Sequence, residues 1–420
     1  MKRAILLCAA ALIAASPATA ETIAIVGGKV ALGDGSQPID NGTVVIRAGR
    51  IAAAGAGVAV PAGARVIDAA GKWVSPGLVA GMTPLGLVEG PGVQQTNDAR
   101  GAGSPFSAAI DVAPAINPRA QPIQVSRAEG FTRAIVSPSA GSSIFAGQGA
   151  IIDLGTDMNA VVKPRAFQYV EFGEGGAEAV GGGRPGAYAY LRNALKEAQA
   201  FGRDDGYEKK LSRMDAEALI PVVNGRMPLF VNVHRGSDIL TVLGLRSEFP
   251  NLKLVLVGVS EGWTVAREIA AANVWVITAG LTDLPESFEM LAATQSNVGR
   301  MKAAGVKVAL RTSRNPKQEA GNLVGLGAVP GATGLDWGAA FATISSAPAE
   351  MVGLGDQFGS LLPGRRADVV LWDGDPLENE SGVEAVFIDG VQQSLSNHMS
   401  KLRDRYRQAH EGSLPKAYER

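Results

Sequence analysis

Hydrophobic and polar positions divide the chain into two strand-rich ends and a long mixed middle. Near the start, short apolar runs at residues 43–47 and 50–53 flank Ala48-Gly49, which is a hairpin signal. Near the end, the continuous apolar run at 367–372 is typical of a buried strand, and residues 383–388 alternate as a second strand. The shared character of the two ends predicts that they meet in one small β domain.

The middle of the chain alternates short apolar strands with helical stretches. Strands separated by helices imply parallel βαβ units, and several in succession favour a (β/α)8 barrel over a doubly wound sheet. We therefore predict an α/β fold, a TIM-like barrel with a small discontinuous β-sandwich formed by the N- and C-terminal segments. The predicted strands are 134–136, 150–152, 229–231, 254–257, 274–277 and 306–310, and the predicted helices are 187–200, 205–217, 238–248, 264–272 and 337–344.

The first twenty residues have the pattern of a signal peptide. Lys2 and Arg3 precede an apolar run, and Ala18-Thr19-Ala20 fits a small-x-small cleavage site. The run of roughly 12 residues is shorter than the ~20 that span a bilayer, so we predict cleavage and no membrane insertion. We expect a periplasmic protein. The predicted divisions are a signal peptide at 1–20, a composite β-sandwich at 21–75 plus 360–394, a barrel at 76–359, and a C-terminal helix and tail at 395–420.

Composition narrows the chemistry of the predicted mature chain. The only cysteine, Cys8, lies within the predicted signal peptide, so a disulfide, a thiolate metal site and a cysteine nucleophile are excluded after cleavage. From residue 21 onward the chain has 37 basic and 40 acidic residues, a net charge of −3. This balance argues against nucleic acid or anionic lipid as a partner and leaves a small-molecule ligand or substrate.

Three segments resemble the amidohydrolase superfamily, in particular its imidazolonepropionase and prolidase-like metal-dependent hydrolases. They are the Pro-Gly-Leu segment at 71–78, the segment at 347–354, and the run at 359–377 that contains Pro363-Gly364 and Ala367-Asp368. The resemblance implies one or two divalent metals at the carboxyl ends of the barrel strands, held mainly by histidines and by an aspartate from the last strand. Such a metal lowers the pKa of a bound water and polarises the substrate carbonyl.

The resemblance also implies where the metal ligands would lie, and each of these positions is substituted. Met82 and Pro84 stand at the first-strand histidines, Asn232 at the fifth-strand histidine, and Ser313 at the aspartate of the last strand. A thioether is a poor zinc ligand, proline has no side-chain donor, and serine is no general base at neutral pH. We therefore expect a pocket without a metal at these positions.

Arg311 and Arg314 flank the position of the lost aspartate. Two permanent cations there would repel a divalent metal and would suit an anionic ligand, although ion pairs on a loop would explain them equally well. Lys163 is the nearest candidate for the bridging lysine that the resemblance implies on the fourth strand, and a solvated loop lysine is the plainer interpretation.

His234 and Glu261 are the remaining catalytic candidates. His234 follows Asn232 by two residues and should point to the same side of its strand. As the only histidine of the predicted barrel, it is either a ligand or, more simply, a hydrogen-bonded structural residue. Glu261 follows the sixth strand, where a first-turn charge favourable to a helix dipole is the alternative.

Two hypotheses follow. The first is an exported amidohydrolase-family protein without metal-dependent hydrolysis, needing no cofactor and acting as a binding protein or as a non-catalytic subunit beside a histidine-complete relative. The alternative is an active hydrolase of carbon–nitrogen bonds in non-peptide or peptide-like substrates, with a site reorganised around His234 and one divalent metal such as zinc. Whether the protein is an enzyme is left open between them.

Overall fold

The structure is a computed structural model that describes residues 21–90, 92–101, 103–203, 209–312 and 315–407. The predicted signal peptide, Ser313, Arg314 and residues 408–420 lie outside the described residues. The strands are β1 (Thr22–Val30), β2 (Ile39–Arg47), β3 (Arg50–Gly55), β4 (Arg65–Asp68), β5 (Trp73–Pro76), β6 (Leu78–Thr83), β7 (Phe131–Val136), β8 (Phe145–Asp153), β9 (Val161–Glu171), β10 (Leu229–Val233), β11 (Leu254–Gly258), β12 (Trp275–Thr278), β13 (Lys307–Leu310), β14 (Val369–Trp372), β15 (Val383–Ile388) and β16 (Val391–Gln392). The α-helices are α1 (Gln121–Ala128), α2 (Glu174–Ala179), α3 (Arg184–Gln199), α4 (Arg213–Val223), α5 (Gly236–Glu248), α6 (Ala266–Ala272), α7 (Asn297–Ala303), α8 (Pro316–Gly325), α9 (Trp337–Ala342), α10 (Ser346–Met351) and α11 (His398–Arg407).

The two ends of the chain meet in one sheet with the strand order β16-β15-β14-β5-β1-β2-β3, and β4 pairs with β1. The predicted hairpin forms between β2 and β3. Ala48 and Gly49 both have positive φ, 51° and 73°, as a two-residue type I′ turn requires. The N- and C-terminal segments join where β5 pairs antiparallel with β14. The predicted association of the two ends is therefore confirmed.

The middle of the chain forms a second eight-stranded sheet in sequential order from β6 to β13. Its first and last strands approach each other, because the Thr312 amide donates to the Gly81 carbonyl at 2.8 Å and the Gly81 amide donates to Thr312 Oγ1 at 2.7 Å. The sheet is thus a nearly closed barrel with helices around it, and the predicted fold class is confirmed.

The barrel departs from the predicted βαβ pattern at β7, β8 and β9, and one helix begins later than predicted. β8 runs antiparallel to both β7 and β9, because the connections at 137–144 and 154–160 are too short for a crossover helix. β9 is an eleven-residue strand where a loop was expected around Lys163, since Pro164 and the flanking charges interrupt the apolar pattern. Part of the helix predicted at 205–217, residues 205–208, lies outside the described residues. The observed helix α4 begins at Arg213, where the Ser212 hydroxyl caps it by accepting from the Asp215 amide.

The segments that carry the family resemblance join the sheet to the barrel. Gly77 lies between β5 and β6, and a Cβ there would meet Thr132 Oγ1 at 2.1 Å, so only glycine allows this passage. Arg133 of β7 forms two hydrogen bonds to the Asp368 carboxylate, at 2.6 and 2.9 Å. Trp372 Nε1 donates to the Ser75 hydroxyl at 2.8 Å. These residues have structural roles at the junction.

Candidate functional site

The carboxyl ends of the barrel strands surround a cavity of about 530 Å³. This end of a parallel barrel is where connecting loops converge and where binding sites form. The cavity is lined by residues from five separate barrel strands and the segments that follow them, including Met82, Pro84, Tyr169, Glu171, Asn232 and Arg311. Four of the predicted pocket residues, Met82, Pro84, Asn232 and Arg311, all line this cavity, which we call the cleft.

Glu171 is the central carboxyl group of the cleft. It ends β9 beside β10, where the Asn232 side-chain amide donates a hydrogen bond to it. Burial and the nearby Glu289 carboxylate raise the pKa of Glu171, against the opposing effects of Asn232, Arg311 and Tyr169. The sequence alone does not single out Glu171, because its importance depends on an unpredicted strand. The sequence feature that could have indicated it is the position of an acidic residue directly after the largely apolar run 166–170.

Helix α2 covers Glu171 from one side. A Cβ on Gly176 would lie 2.4 Å from the Glu171 carbonyl oxygen, so the helix approaches β9 as closely as glycine permits. Its first turn is held by Glu289, whose carboxylate accepts from the Glu174 amide at 2.8 Å and pairs with Arg184 at 3.1 Å. A Cβ on the neighbouring Gly175 would lie 3.2 Å from Glu171 Cγ, so α2 covers one side of the Glu171 side chain, which is half-buried.

Two arginine side chains carry the positive charge of the cleft. Arg311 follows β13, and its amide donates to the Thr278 carbonyl at 2.8 Å, which fixes the backbone there. Arg100 also lines the cleft, with its Nε donating to the Ala140 carbonyl at 3.2 Å. Both arginines are exposed, and among the described residues neither forms an ion pair with a carboxylate. Their guanidinium groups are therefore available to a ligand.

His234 lies next to Asn232 but does not line the cleft. Both side chains approach Gly258, where a Cβ would lie 2.5 Å from His234 Cε1 and 2.8 Å from Asn232 Oδ1, so they share one side as expected. The His234 Nδ1 atom lies 2.8 Å from the Ser260 hydroxyl. Burial, with a smaller contribution from Arg311, lowers the pKa of His234 to about 4. His234 is therefore a neutral, hydrogen-bonded residue at pH 7.

Glu261 is held away from the cleft. Its two carboxylate oxygens accept backbone amide hydrogens, Oε2 from Gly236 at 3.0 Å and Oε1 from Ala292 at 3.0 Å. Gly236 begins α5, so the carboxylate stabilises the start of that helix through its unpaired amide and its dipole. This geometry is that of a helix-capping residue and favours the structural interpretation of Glu261, whose catalytic role stays a prediction.

Two other expectations concern residues far from the cleft or outside the described chain. Lys163 lies in the first half of β9, at the opposite end of the barrel, and its Nζ donates to the Val352 carbonyl at 3.4 Å. It is therefore not a bridging lysine at the carboxyl ends of the strands. Ser313 and Arg314 lie outside the described residues, so their predicted places beside Arg311 stay predictions.

Comparisons with known proteins give consistent results. The Amidohydrolase family profile matches residues 257–397. Amidohydrolase tasK of Hapsidospora irregularis is 24% identical over 385 residues, which is 80% of this chain but only 38% of that protein. An amidohydrolase from Thermotoga maritima MSB8 has a TM-score of 0.77 at 24% identity, covering 88% of this chain and 99% of that one. Molinate hydrolase has a TM-score of 0.53 at 20% identity, covering 90% and 95% of the two chains.

The chain is thus similar to the Amidohydrolase family over residues 257–397 and to an amidohydrolase over most of its length. The chain spans 38% of the length of the curated relative, so the activity of that whole protein does not transfer to it. The likeness to the solved structures shows the fold.

The described side chains at this end of the barrel do not fit a divalent metal. Within the described part of the chain, no group of three or more His, Cys, Asp or Glu side chains is positioned to hold one. Met82 offers a thioether, Pro84 offers no donor, and Arg311 brings a permanent positive charge. Glu171, the most central carboxyl group, already accepts the Asn232 hydrogen bond.

The barrel carries backbone strain at the same end. Met82 in β6 and Val259 after β11 have φ of 53° and 49°, in the left-handed region that side chains rarely adopt. The Val259 amide donates to the Val233 carbonyl at 2.8 Å, and Asn297 Nδ2 donates to the Val259 carbonyl at 3.0 Å. Residues held in this region cost about 1–3 kcal/mol each, and the hydrogen bonds around Val259 hold its backbone in place.

Proposed function

We propose that this protein is a small-molecule-binding member of the amidohydrolase superfamily that does not carry out metal-dependent hydrolysis. The observation that carries the proposal is the composition of the cleft, where Met82, Pro84, Asn232 and Arg311 converge and no metal-binding set forms among the described residues. The neutral state of His234 and its hydrogen bond with Ser260 support a structural role for that residue. A cavity of about 530 Å³ suits a small organic ligand.

Metal content tests this proposal directly. The mature protein would be produced in medium supplemented with zinc, manganese and iron, and its metal-to-protein ratio measured by mass spectrometry after gel filtration. We expect less than stoichiometric metal and no turnover of amide and dipeptide panels. Stoichiometric metal that disappears in His234→Ala, with the exposed His398→Ala as matched control, would contradict the proposal.

The second candidate function is hydrolysis of carbon–nitrogen bonds. Glu171 favours it, because a buried carboxyl group with a raised pKa in a cleft is a typical general acid or base. The expected signature is turnover of an amide substrate that is lost in Glu171→Gln and retained in Glu178→Gln, which changes an exposed carboxylate lining the same cleft. The absence of turnover in the unchanged protein would eliminate this candidate.

We further propose that the protein is exported to the periplasm. We also propose that it associates there, as a non-catalytic subunit, with a histidine-complete relative. The basic and apolar segment at 1–20 supports export. Within the described residues no helix has the length and apolar character to cross a membrane. Intact-mass measurement of periplasmic protein should give a chain beginning at Glu21, and an uncleaved cytoplasmic chain would contradict export. Reciprocal co-purification with a co-expressed relative tests the association.

A further inference from the structure

We propose that the cleft binds a hydroxylated organic acid, with its carboxylate on Arg311 and Arg100 and its hydroxyl-bearing chain in an adjoining serine-lined cavity. This inference rests on the proposed binding function and names the ligand class for it. The cleft and the adjoining cavity share Ser139 and Gly141 in their linings, so they are direct neighbours, and we infer that one extended ligand reaches both.

Two arginines of the cleft offer a site for an anion. Arg311 and Arg100 present exposed guanidinium groups that no described carboxylate pairs with. A guanidinium group offers donors in a fixed fork that matches the two oxygens of a carboxylate. Glu171 lies close enough to feel the charge of Arg311, but its carboxyl group accepts a hydrogen bond from the Asn232 side chain and forms no ion pair with either arginine. Glu178 is exposed at the edge of the cleft and is solvated.

The adjoining cavity selects for hydroxyl groups. It has a volume of about 200 Å³ and is lined by hydroxyl-bearing side chains, including Ser104, Ser107, Ser139, Ser142, Ser143 and Tyr190. A hydroxyl group both donates and accepts hydrogen bonds, so a row of them matches the alternating donors and acceptors of a polyol.

The serine-lined wall is held in place by a buried acid. Asp215 is 4% exposed, and its Oδ1 atom accepts from the amides of Ser107 and Ala109, both at 2.9 Å. Its other oxygen accepts from the Ser212 hydroxyl at 2.7 Å. Both carboxylate oxygens of Asp215 therefore accept hydrogen bonds from the protein and do not face an anionic ligand as unpaired acceptors.

Three six-carbon probes separate the two parts of the proposal. Gluconate has the carboxylate and the hydroxyl groups, sorbitol has only the hydroxyl groups, and hexanoate has only the carboxylate. Each would be titrated into the mature protein by calorimetry at constant ionic strength. We expect gluconate to bind about tenfold or more tightly than either partial probe, since one charge-assisted pair accounts for roughly that factor.

Two variants and one control test the assignment of residues. Arg311→Met and Arg100→Met should each weaken gluconate binding about tenfold or more and leave sorbitol binding unchanged. Arg47→Met removes an exposed arginine from β2 of the other sheet and should have no effect. Unchanged melting of the arginine variants without ligand verifies that they are folded.

Equal binding of gluconate and sorbitol, or unchanged gluconate binding in Arg311→Met, would overturn the assignment of the anion site. Equal binding of gluconate and hexanoate would overturn the role of the serine-lined cavity. Metal content is measured on the same preparation. Stoichiometric metal refutes the proposed function, whereas metal-free protein that binds no gluconate refutes this inference alone.

Discussion

Replacing Arg133 with methionine tests how the barrel is joined to the other sheet. The Arg133 side chain is fully buried, at 0% exposure, and it bonds to Asp368 at 2.6 and 2.9 Å and to Asp389 at 2.8 Å. Burial by itself lowers the pKa of Arg133, but the carboxylates of Asp368, Asp389 and Asp153 outweigh it and hold the pKa above its usual range. Methionine keeps most of the apolar stem and removes the charge, which leaves Asp368 buried without a cation.

The magnitude follows from the burial of both partners. Removing one partner of a buried ion pair typically costs about 3–5 kcal/mol, because the remaining charge is neither solvated nor compensated. An unfolding entropy of about 2.1 cal/mol/K per residue gives roughly 0.8 kcal/mol/K for a chain of about 400 residues. Arg133→Met should therefore lower the melting temperature by about 4–6 °C.

Calorimetry of the mature protein at neutral pH measures this shift, with Arg47→Met as an exposed control. The double variant Arg133→Met, Asp368→Asn removes the uncompensated carboxylate and should recover part of the loss. A melting temperature unchanged in Arg133→Met, or a double variant no more stable than the single one, would refute the reasoning.

The remaining predictions concern single positions whose surroundings are equally well defined. Gly77→Ala places a Cβ 2.1 Å from Thr132 Oγ1 and should lower the free energy of unfolding, measured in urea, by about 1–3 kcal/mol or more. Gly244→Ala adds a Cβ to α5 where no atom lies within 4 Å, and it should raise the free energy of unfolding by about 0.5–1 kcal/mol. Similar effects of the two changes would contradict the packing argument. Because the folded pKa of His234, about 4, lies below its unfolded value, stability is lost as the pH falls from about 6.5 toward 4, by up to about 3 kcal/mol. His234→Gln should not show this loss of stability when urea unfolding is measured at pH 7 and at pH 4. If the variant and the unchanged protein differ in stability by the same amount at both pH values, the imidazole is not held neutral. Glu171 has a raised folded pKa, so its charged form destabilises the native state at neutral pH and the penalty disappears as the pH falls through that pKa. Glu171→Gln should raise the melting temperature at pH 7 and not near pH 4, and a decrease at pH 7 would mean that the cleft stabilises the carboxylate.

Local sequence patterns determine much of the fold. The hairpin at Ala48-Gly49, the alternation of strands and helices, and the Pro-Gly-Leu passage at Gly77 each depend on neighbouring residues or on steric properties of one residue type. The same local reasoning predicts that Met82 and Asn232 lie at strand ends, because the strands carrying them have clear apolar runs.

The composition of the cleft depends on contacts between distant segments. β9 pairs with β10 in a register that sets Glu171 beside Asn232, 61 residues away along the chain, and no local pattern specifies that register. Glu261 sits at a strand end as predicted, yet its carboxylate bonds the amides of Gly236 and Ala292, which only the folded loops bring near. The sequence by itself determined which elements form and where the barrel joins the sheet, because these follow from short-range periodicity and sterics. Only the tertiary structure decided which side chains meet in the cleft, since burial, charge and hydrogen-bond partners arise from pairing across the barrel.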